Sequence, residues 1–169
     1  MKHLVIKAQR TRDPEVFVKL MELNKQSMVK VAKSYLTCEE DVADAVQEAI
    51  LSCYEKLDSL QEPKYFKTWL IRIVINKCKD ILRQNRQMYL LDEMPERGAW
   101  DTTQSDLEFM ELLESIDEKY RIILVLYYAE GFKTREIAEI LNMNERTVKT
   151  RLIRGREKFA RKYQEVLAI

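Results

Sequence analysis

The chain has little of what breaks helices or builds tight β-turns, with three glycines and three prolines in 169 residues. Apolar residues instead recur with a helical period along most of its length. At 46% apolar and 34% charged residues, the composition suits helical cores and is not that of a disordered protein. An all-α fold is therefore predicted.

Cysteine and histidine are also scarce, which argues against several kinds of site. Cys38, Cys53 and Cys78 show no Cys-x-x-Cys spacing, and His3 is the sole histidine, so a zinc site is not expected. The sequence contains neither a Gly-rich phosphate loop nor a histidine placed to act as a base. These absences predict a protein without metal, cofactor or small-molecule substrate, and not an enzyme.

Long apolar runs are absent as well. The most apolar run, residues 122–129, is far too short to span a bilayer, and the N-terminus lacks the apolar core of a signal peptide. An odd number of scattered thiols fits a reducing compartment better than a disulfide framework. A cytoplasmic location is expected.

Net charge is nearly absent, at +1, because acidic and basic blocks alternate along the chain. Residues 39–62 and 92–118 are strongly acidic, whereas residues 64–86 and the C-terminal part are strongly basic. Such asymmetry indicates more than one kind of partner. A nucleic acid would account for the basic blocks only.

The basic stretch at residues 142–159 repeats apolar residues at helical spacing. Val148, Leu152 and Phe159 fall in one narrow stripe with Gly155, whose missing side chain lets another helix approach closely. The side opposite this stripe carries Arg146, Thr150, Ile153, Arg154 and Glu157, and its flanks carry Lys149, Arg151, Arg156 and Lys158. Cations suit phosphates, whereas short and apolar groups suit base edges and the thymine methyl.

The residues before this stretch complete a helix-turn-helix pattern. A helix is predicted from Thr134 to Leu141 and a tight turn over residues 142–144. Thr134 and Asn144 are suitable N-caps, and Gly131 suits the left-handed C-cap of the preceding helix. In this motif the second helix enters the major groove of DNA, so the C-terminal part is predicted to bind duplex DNA.

Two helices are predicted at the start of the chain. Asp13 as N-cap and Pro14 at the first helical position begin a helix over residues 14–36. Thr37 and Glu40 have the form of a capping box before the second helix. Its inward positions are Val42, Ala45, Val46, Ala49, Ile50, Cys53 and Leu57, and its polar side carries Asp41, Asp44, Gln47, Glu48 and Ser52.

A third helix is predicted over residues 64–86, with one apolar and one cationic side. The predicted core stripe is Leu70, Ile73, Val74, Ile81 and Leu82. The predicted cationic side is Lys67, Arg72, Asn76, Lys79 and Arg83. Trp69 is either a core anchor or a platform on which bases stack, since cations next to aromatic residues are typical of single-strand binding.

These motifs together resemble a known family, the extracytoplasmic-function (ECF) sigma factors. Asp41, Asp44, Gln47 and Glu48 match the D-x-x-D-x-x-Q-E pattern of their region 2. The stretch from Phe66 to Asn76 matches F-x-T-W-L-x-R-I-x-x-N, and "ERTVKTRLIRGREKF" resembles the region 4 helix. The resemblance implies two small helical domains, residues 1–86 and 106–169, joined by a flexible linker over residues 87–105.

The resemblance also implies a role for each matched residue. The acidic helix would bind the β′ clamp helices of core RNA polymerase, which also contacts sigma factors through its β subunit, using Asp44, Gln47, Glu48 and Leu51. The −10 element of the promoter would be read by Lys67, Trp69, Arg72, Asn76 and Lys79. The −35 element would be bound by Arg146, Lys149, Thr150, Arg151, Ile153, Arg154 and Arg156.

The expected function is that of an alternative sigma factor in a stress or envelope response. The resemblance also implies an anti-sigma factor, often membrane-anchored in this family. A dimeric helix-turn-helix regulator of operator DNA is the first alternative, and an enzyme with a DNA-binding tail is the second. The acidic linker either mimics nucleic acid or is simply solvated, and Glu62-Pro63-Lys64 leaves the preferred −10 sequence open.

Overall fold

The computed structural model describes residues 1–89 and 112–167, with side chains for residues 1–87 and 112–165. These residues form two compact helical units, the first from residues 1–89 and the second from residues 112–167. Neither range contains a β-strand, as the all-α prediction requires. No helix in the described ranges is both long and apolar enough to cross a membrane. The predicted linker lies mostly outside these residues.

The first unit is built from five helices around a shared core. They are α1 (Lys2–Thr11), α2 (Pro14–Glu22), α3 (Lys25–Lys33), α4 (Glu39–Lys56) and α5 (Phe66–Tyr89), with 3₁₀ turns at Leu57–Ser59 and Pro63–Tyr65. The pairing of α4 with α5 is the most extensive contact, and α3 packs on both. Phe66, Leu70 and Ile71 at the start of α5 are completely buried between these helices.

The prediction of a single helix over residues 14–36 was wrong, because the chain turns between α2 and α3. Asn24 lies at that turn and is buried, with its side-chain amide donating to the Leu20 carbonyl at 2.8 Å. This bond satisfies the amide inside the core, where an unpaired polar group would be costly. The predicted cap at Asp13 is confirmed, since its carboxylate accepts from the Glu15 N–H at 2.9 Å.

Helix α1 was not predicted, and it is tied to the rest of the unit through its last turn. The Gln9 side-chain amide donates to the carbonyls of Leu57 (2.9 Å) and Leu60 (2.8 Å). Arg12 ends the helix with a left-handed φ of 52°, and its guanidinium pairs with Asp58. These bonds join the first helix to the 3₁₀ turn that follows α4.

The start and one face of α4 differ from the prediction. The helix begins at Glu39 with Cys38 at the N-cap position and no side-chain capping bond, so the capping box at Thr37 was wrong. Ser52, predicted on the polar side, is only 8% exposed, whereas Ile50 is half-buried. The buried side of α4 is therefore shifted relative to the predicted one.

The core stripe of α5 is rotated relative to the predicted one. Leu70 and Val74 are buried as predicted, but Ile73, Ile81 and Leu82 are only half-buried. Their places in the core are taken by Ile71, Ile75 and Cys78, each with no exposed surface. Because α3 and α4 both pack on α5, the buried side faces the gap between two helices rather than one neighbour.

In the described part of the second unit, residues 112–114 are helical and three further helices follow. They are α6 (Glu118–Leu124), which continues into a π-helical segment at Val125–Ala129, α7 (Thr134–Leu141) and α8 (Glu145–Leu167). Gly131 has a φ of 72° after the π-helical segment, which confirms the predicted left-handed position. The π-helical segment itself was not predicted, since no sequence period distinguishes it from an α-helix.

Candidate functional site

Helices α7 and α8 form the predicted helix-turn-helix. Asn142 ends α7 with a left-handed φ of 51°, and the Met143 N–H donates to the Ala138 carbonyl at 3.0 Å. Asn144 caps α8 through its side-chain oxygen, which accepts from the Arg146 N–H at 2.8 Å. The predicted turn and the Asn144 cap are confirmed.

The predicted cap of α7 was displaced by one residue. Lys133, not Thr134, is the N-cap residue, and its N–H donates to the Glu136 carboxylate at 2.8 Å. Thr134 is the first helical residue, and its hydroxyl donates to Glu145 at 2.8 Å. The hydroxyl therefore joins the two helices of the motif instead of capping one of them.

The buried side of α8 is the stripe that the sequence predicted. Val148 has no exposed surface, Leu152 and Gly155 are buried, and Phe159 is half-buried. A Cβ atom on Gly155 would lie 3.3 Å from Leu124 Cγ, closer than side chains normally pack. The glycine is what lets α6 lie against α8, and this contact turns the opposite side of α8 outward.

The outward side of α8 combines cations with an exposed apolar group. Ile153 is 51% exposed, and Thr150 and Arg154 lie beside it on the same exposed face. The Thr150 hydroxyl donates to the Arg146 carbonyl at 3.0 Å, so its oxygen is held in place and can still accept a bond. Within residues 112–165, no ion pair involves the site arginines, which are Arg146, Arg151, Arg154 and Arg156.

The three lysines of α8 differ from these arginines, because each has an acidic partner, which for Lys162 is Glu165 at 2.9 Å. Lys149 lies 2.9 Å from Glu145, and Lys158 lies 3.4 Å from Asp117. The bonds from Lys149 and Thr134 lower the pKa of the Glu145 carboxyl, so it stays charged at neutral pH. Sequence reasoning missed Glu145, although a Glu followed four residues later by a Lys is a known helix pair.

In the second unit, a concave apolar pocket of about 400 Å³ lies next to the outward side of α8. It is lined by Leu113, Leu124, Val125, Tyr128, Ala129, Arg156 and Phe159. Tyr128 is 58% exposed at its edge. Arg156 therefore lies at the border between the apolar pocket and the outward side of α8.

In the first unit, α4 and α5 form a groove of about 530 Å³. It is lined by the four residues predicted to bind polymerase, which are Asp44, Gln47, Glu48 and Leu51, and by four residues of α5, which are Lys77, Asp80, Ile81 and Gln84. Leu51 is 58% exposed, and Lys77 forms an ion pair with Glu48 at 3.3 Å. Sequence reasoning missed the α5 residues, because which side of α5 meets α4 depends on the packing of the unit.

The predicted −10 residues lie on α5, but not all on one side. Arg72, Asn76 and Lys79 are exposed on successive turns of the same face. Trp69 begins this face and is half-buried, with its ring centroid 6.1 Å from that of the buried Phe66. Lys67 is half-buried and lies about 180° around the helix from Asn76 at about 100° per residue, so the predicted cationic side does not include it.

Metal ligation finds no support in the described parts of the chain. Residues 1–87 and 112–165 contain no group of three or more His, Cys, Asp or Glu arranged to hold a metal ion. The two faces offer instead charge, hydrogen-bond donors and exposed apolar groups.

The fold and these faces define a two-unit helical protein whose second unit is a helix-turn-helix domain. Two family models match it in succession, Sigma-70 region 2 over residues 20–88 and Sigma-70 region 4 over residues 106–159. The sigma factor SigV of Bacillus subtilis is 32% identical over 78% of this chain and 81% of its own. The ECF sigma-E factor of Escherichia coli K12 is 32% identical over 75% and 76%.

Solved structures show the same fold. CnrH, solved in complex with the cytosolic domain of CnrY, aligns with a TM-score of 0.73 at 24% identity, covering 97% of both chains. The sigma factor RpoE of Bartonella quintana, solved with the anti-sigma factor NepR, aligns with a TM-score of 0.77 at 21% identity, over 88% of this chain and 96% of its own. At these identities the likeness concerns the fold alone.

The chain belongs to the sigma-70 family of RNA polymerase sigma factors, in its ECF group. Its function is that of an alternative sigma factor that directs transcription initiation. This confirms the family predicted from the sequence and sets aside the dimeric regulator.

Proposed function

We propose that each unit performs one half of promoter selection, with residues 1–86 binding polymerase and the −10 element and residues 106–169 binding the −35 element. Residues 87–105 would join them. The chain itself would catalyse no reaction and would need no cofactor. It would act in the cytoplasm, where core RNA polymerase and promoter DNA are found.

The observation that carries the −35 proposal is the exposed Ile153, which lies among arginines that form no ion pair within residues 112–165. An isoleucine that is 51% exposed adds nothing to a solvated face, but it suits contact with a thymine methyl. The base-reading group comprises Lys149, Thr150, Ile153 and Arg154, flanked by Arg146, Arg151 and Arg156 for phosphates. This division follows the general rule that phosphate contacts position a protein while base contacts specify the sequence.

The exposed side of α5 supports reading of the −10 element. Arg72, Asn76 and Lys79 offer donors on one open face, and Trp69 supplies an aromatic surface where that face begins. Stacking on an aromatic ring together with nearby cations is how proteins hold unpaired bases. Lys67 lies on a different side of α5 from Arg72, Asn76 and Lys79. In this proposal it contacts DNA apart from them, near the start of the helix.

The groove between α4 and α5 supports docking on core polymerase. The Asp44 and Glu48 carboxylates line this groove together with the exposed Leu51, which places an apolar group beside charged ones. Protein interfaces commonly have this arrangement. We propose that Asp44, Gln47, Glu48 and Leu51 bind the β′ clamp helices, with further contacts to the β subunit.

An anti-sigma factor, membrane-anchored in many members of the family, is proposed as the regulatory partner in a stress or envelope response. The exposed charged and apolar faces of both units would need covering when polymerase is absent. Affinity purification from cells under unstressed growth tests this. Failure to recover a stoichiometric inhibitor would contradict it.

The decisive experiment is transcription in vitro from a randomised promoter library. The purified chain is added to core RNA polymerase that lacks any sigma subunit, and the transcribed promoters are sequenced. Enrichment of paired −10 and −35 motifs that depends on the chain would support both halves of the proposal. Enrichment of a −10 motif alone would contradict the role of α8.

A further inference from the structure

Glu145 links the two helices of the helix-turn-helix to one lysine of the reading face. Its Oε1 atom accepts from the Thr134 hydroxyl at 2.8 Å and from the Lys149 ammonium at 2.9 Å. Thr134 is the first residue of α7 and Glu145 the first residue of α8. The same carboxylate oxygen therefore holds the start of α8 against the start of α7 and sets the direction of the Lys149 side chain.

This pair changes what Lys149 can contribute to DNA binding. Attraction to DNA that is independent of sequence grows with the number of phosphates that a protein neutralises. A lysine bound to a carboxylate brings no net charge to the duplex, whereas the site arginines have no acidic partner in residues 112–165. An ammonium has three donors, so Lys149 keeps two for base edges while Glu145 occupies one.

As an isolated exposed ion pair, Glu145 and Lys149 would contribute little to stability. The consequence lies in the placement of the ammonium at the edge of the face that carries Thr150, Ile153 and Arg154. We propose that Glu145 is a positioning residue that sets promoter specificity, because it aims Lys149 at base edges and withholds its charge from the DNA phosphates. This inference rests on the proposed reading of the −35 element by α8.

The test measures holoenzyme binding to promoter duplexes with a selected or a scrambled −35 element, from about 50 to 200 mM salt. Glu145→Gln retains an oxygen that can accept from Thr134 but removes the charge that holds Lys149. The released lysine should neutralise one more phosphate, which steepens the salt slope by about 0.9 and enlarges the affinity ratio across this range by about 3.5-fold. Affinity for the scrambled element should rise more than affinity for the selected one.

A double-mutant cycle separates the release of Lys149 from the simple loss of a negative charge. Lys149→Gln alone should weaken binding to the selected element and leave the salt slope unchanged. In the Glu145→Gln background, Lys149→Gln should flatten the slope by about 0.9. Equal changes of slope in the two backgrounds would overturn the inference, since the lysine would then not depend on Glu145.

Thr134→Val is the matched control, because it removes the hydrogen bond between the helices and leaves the ion pair. Its salt slope should equal that of the wild type. Wild-type holoenzyme that binds selected and scrambled −35 elements equally would contradict the proposed function of α8. Wild-type selectivity with an unchanged slope in Glu145→Gln would overturn the role of Glu145 alone.

Discussion

At the scale of single residues, Arg154 and Arg156 are neighbours with different expected roles. Arg154 lies on the outward side of α8 beside Ile153, whereas Arg156 lies at the border of the apolar pocket. Arg154→Ala should weaken binding to the selected −35 element by about 1–3 kcal/mol and relax selectivity at one base pair. Competition binding against single-base variants of the element measures both effects.

Arg156→Ala should act differently, since a phosphate contact carries no direct sequence information. Its loss should weaken binding to all sequences alike and reduce the salt slope by about one. The two variants serve as controls for each other, because both remove one positive charge from the same helix. If Arg154→Ala also weakened selected and scrambled elements equally, Arg154 would not belong to the base-reading group.

The three thiols should differ in reactivity because of their burial. Burial raises the pKa of the Cys53 thiol to about 12, so the reactive thiolate is scarce at pH values near 8. Cys78 has no exposed surface either, whereas Cys38 is half-buried. Alkylation of the native chain should therefore modify Cys38 first, and a Cys38→Ser variant should react only after unfolding. Rapid labelling of that variant under native conditions would contradict this.

At the scale of elements, the approach of α6 to α8 depends on Gly155. A valine there would place its branched side chain where Leu124 packs, since even a Cβ atom would lie 3.3 Å from Leu124 Cγ. Gly155→Val should lower the free energy of unfolding of the second unit by about 1–3 kcal/mol through overpacking. Urea unfolding followed by circular dichroism measures the change.

Leu124→Ala supplies the internal control for this contact. In the variant that carries both Gly155→Val and Leu124→Ala, the smaller alanine leaves room for the valine. The losses of unfolding free energy of the two single variants should therefore sum to more than the loss measured for the double variant. Strict additivity would show that the valine is tolerated or harmful for another reason. The first unit should unfold as in the wild type in all three variants.

The helices also differ in how well the sequence alone predicts them. The helix-turn-helix was predictable because Asn144, Gly131 and the α8 stripe are local signals, each read within a few residues. The break at Asn24 and the rotated core of α5 were not, because both depend on how α3 and α4 pack around α5. In the same way Glu48 could be identified from its motif, but its partner Lys77 could not, since the two are 29 residues apart.

At the scale of the whole molecule, the groove between α4 and α5 is the surface that we propose to bind core polymerase. Asp44→Lys should greatly weaken association with core polymerase while leaving the fold intact, since Asp44 is exposed and has no ion-pair partner among the described residues. Glu48→Lys should do the same and also lose its bond to Lys77. Size-exclusion co-elution with core polymerase measures the loss.

Glu22→Lys is the matched control for these reversals, because it changes the same charge at an exposed position of α2. This variant should co-elute with core polymerase as the wild type does. Normal co-elution of Asp44→Lys would overturn the assignment of the groove to polymerase. Failure of the control to bind would show instead that net charge, rather than the groove, governs association.

The two bonds of Gln9 also bear on the order in which the first unit folds. They join residues 48 and 51 positions apart, and closing a loop of that length costs on the order of 3 kcal/mol of chain entropy. Contacts of this kind are expected to form after the transition state, so Gln9→Ala should speed unfolding and leave the folding rate nearly unchanged. Stopped-flow measurement of Trp69 fluorescence in a Trp100→Phe background gives both rates. Slower folding of the Gln9→Ala variant would contradict the prediction. The first helix of the chain would then be the last to join its unit.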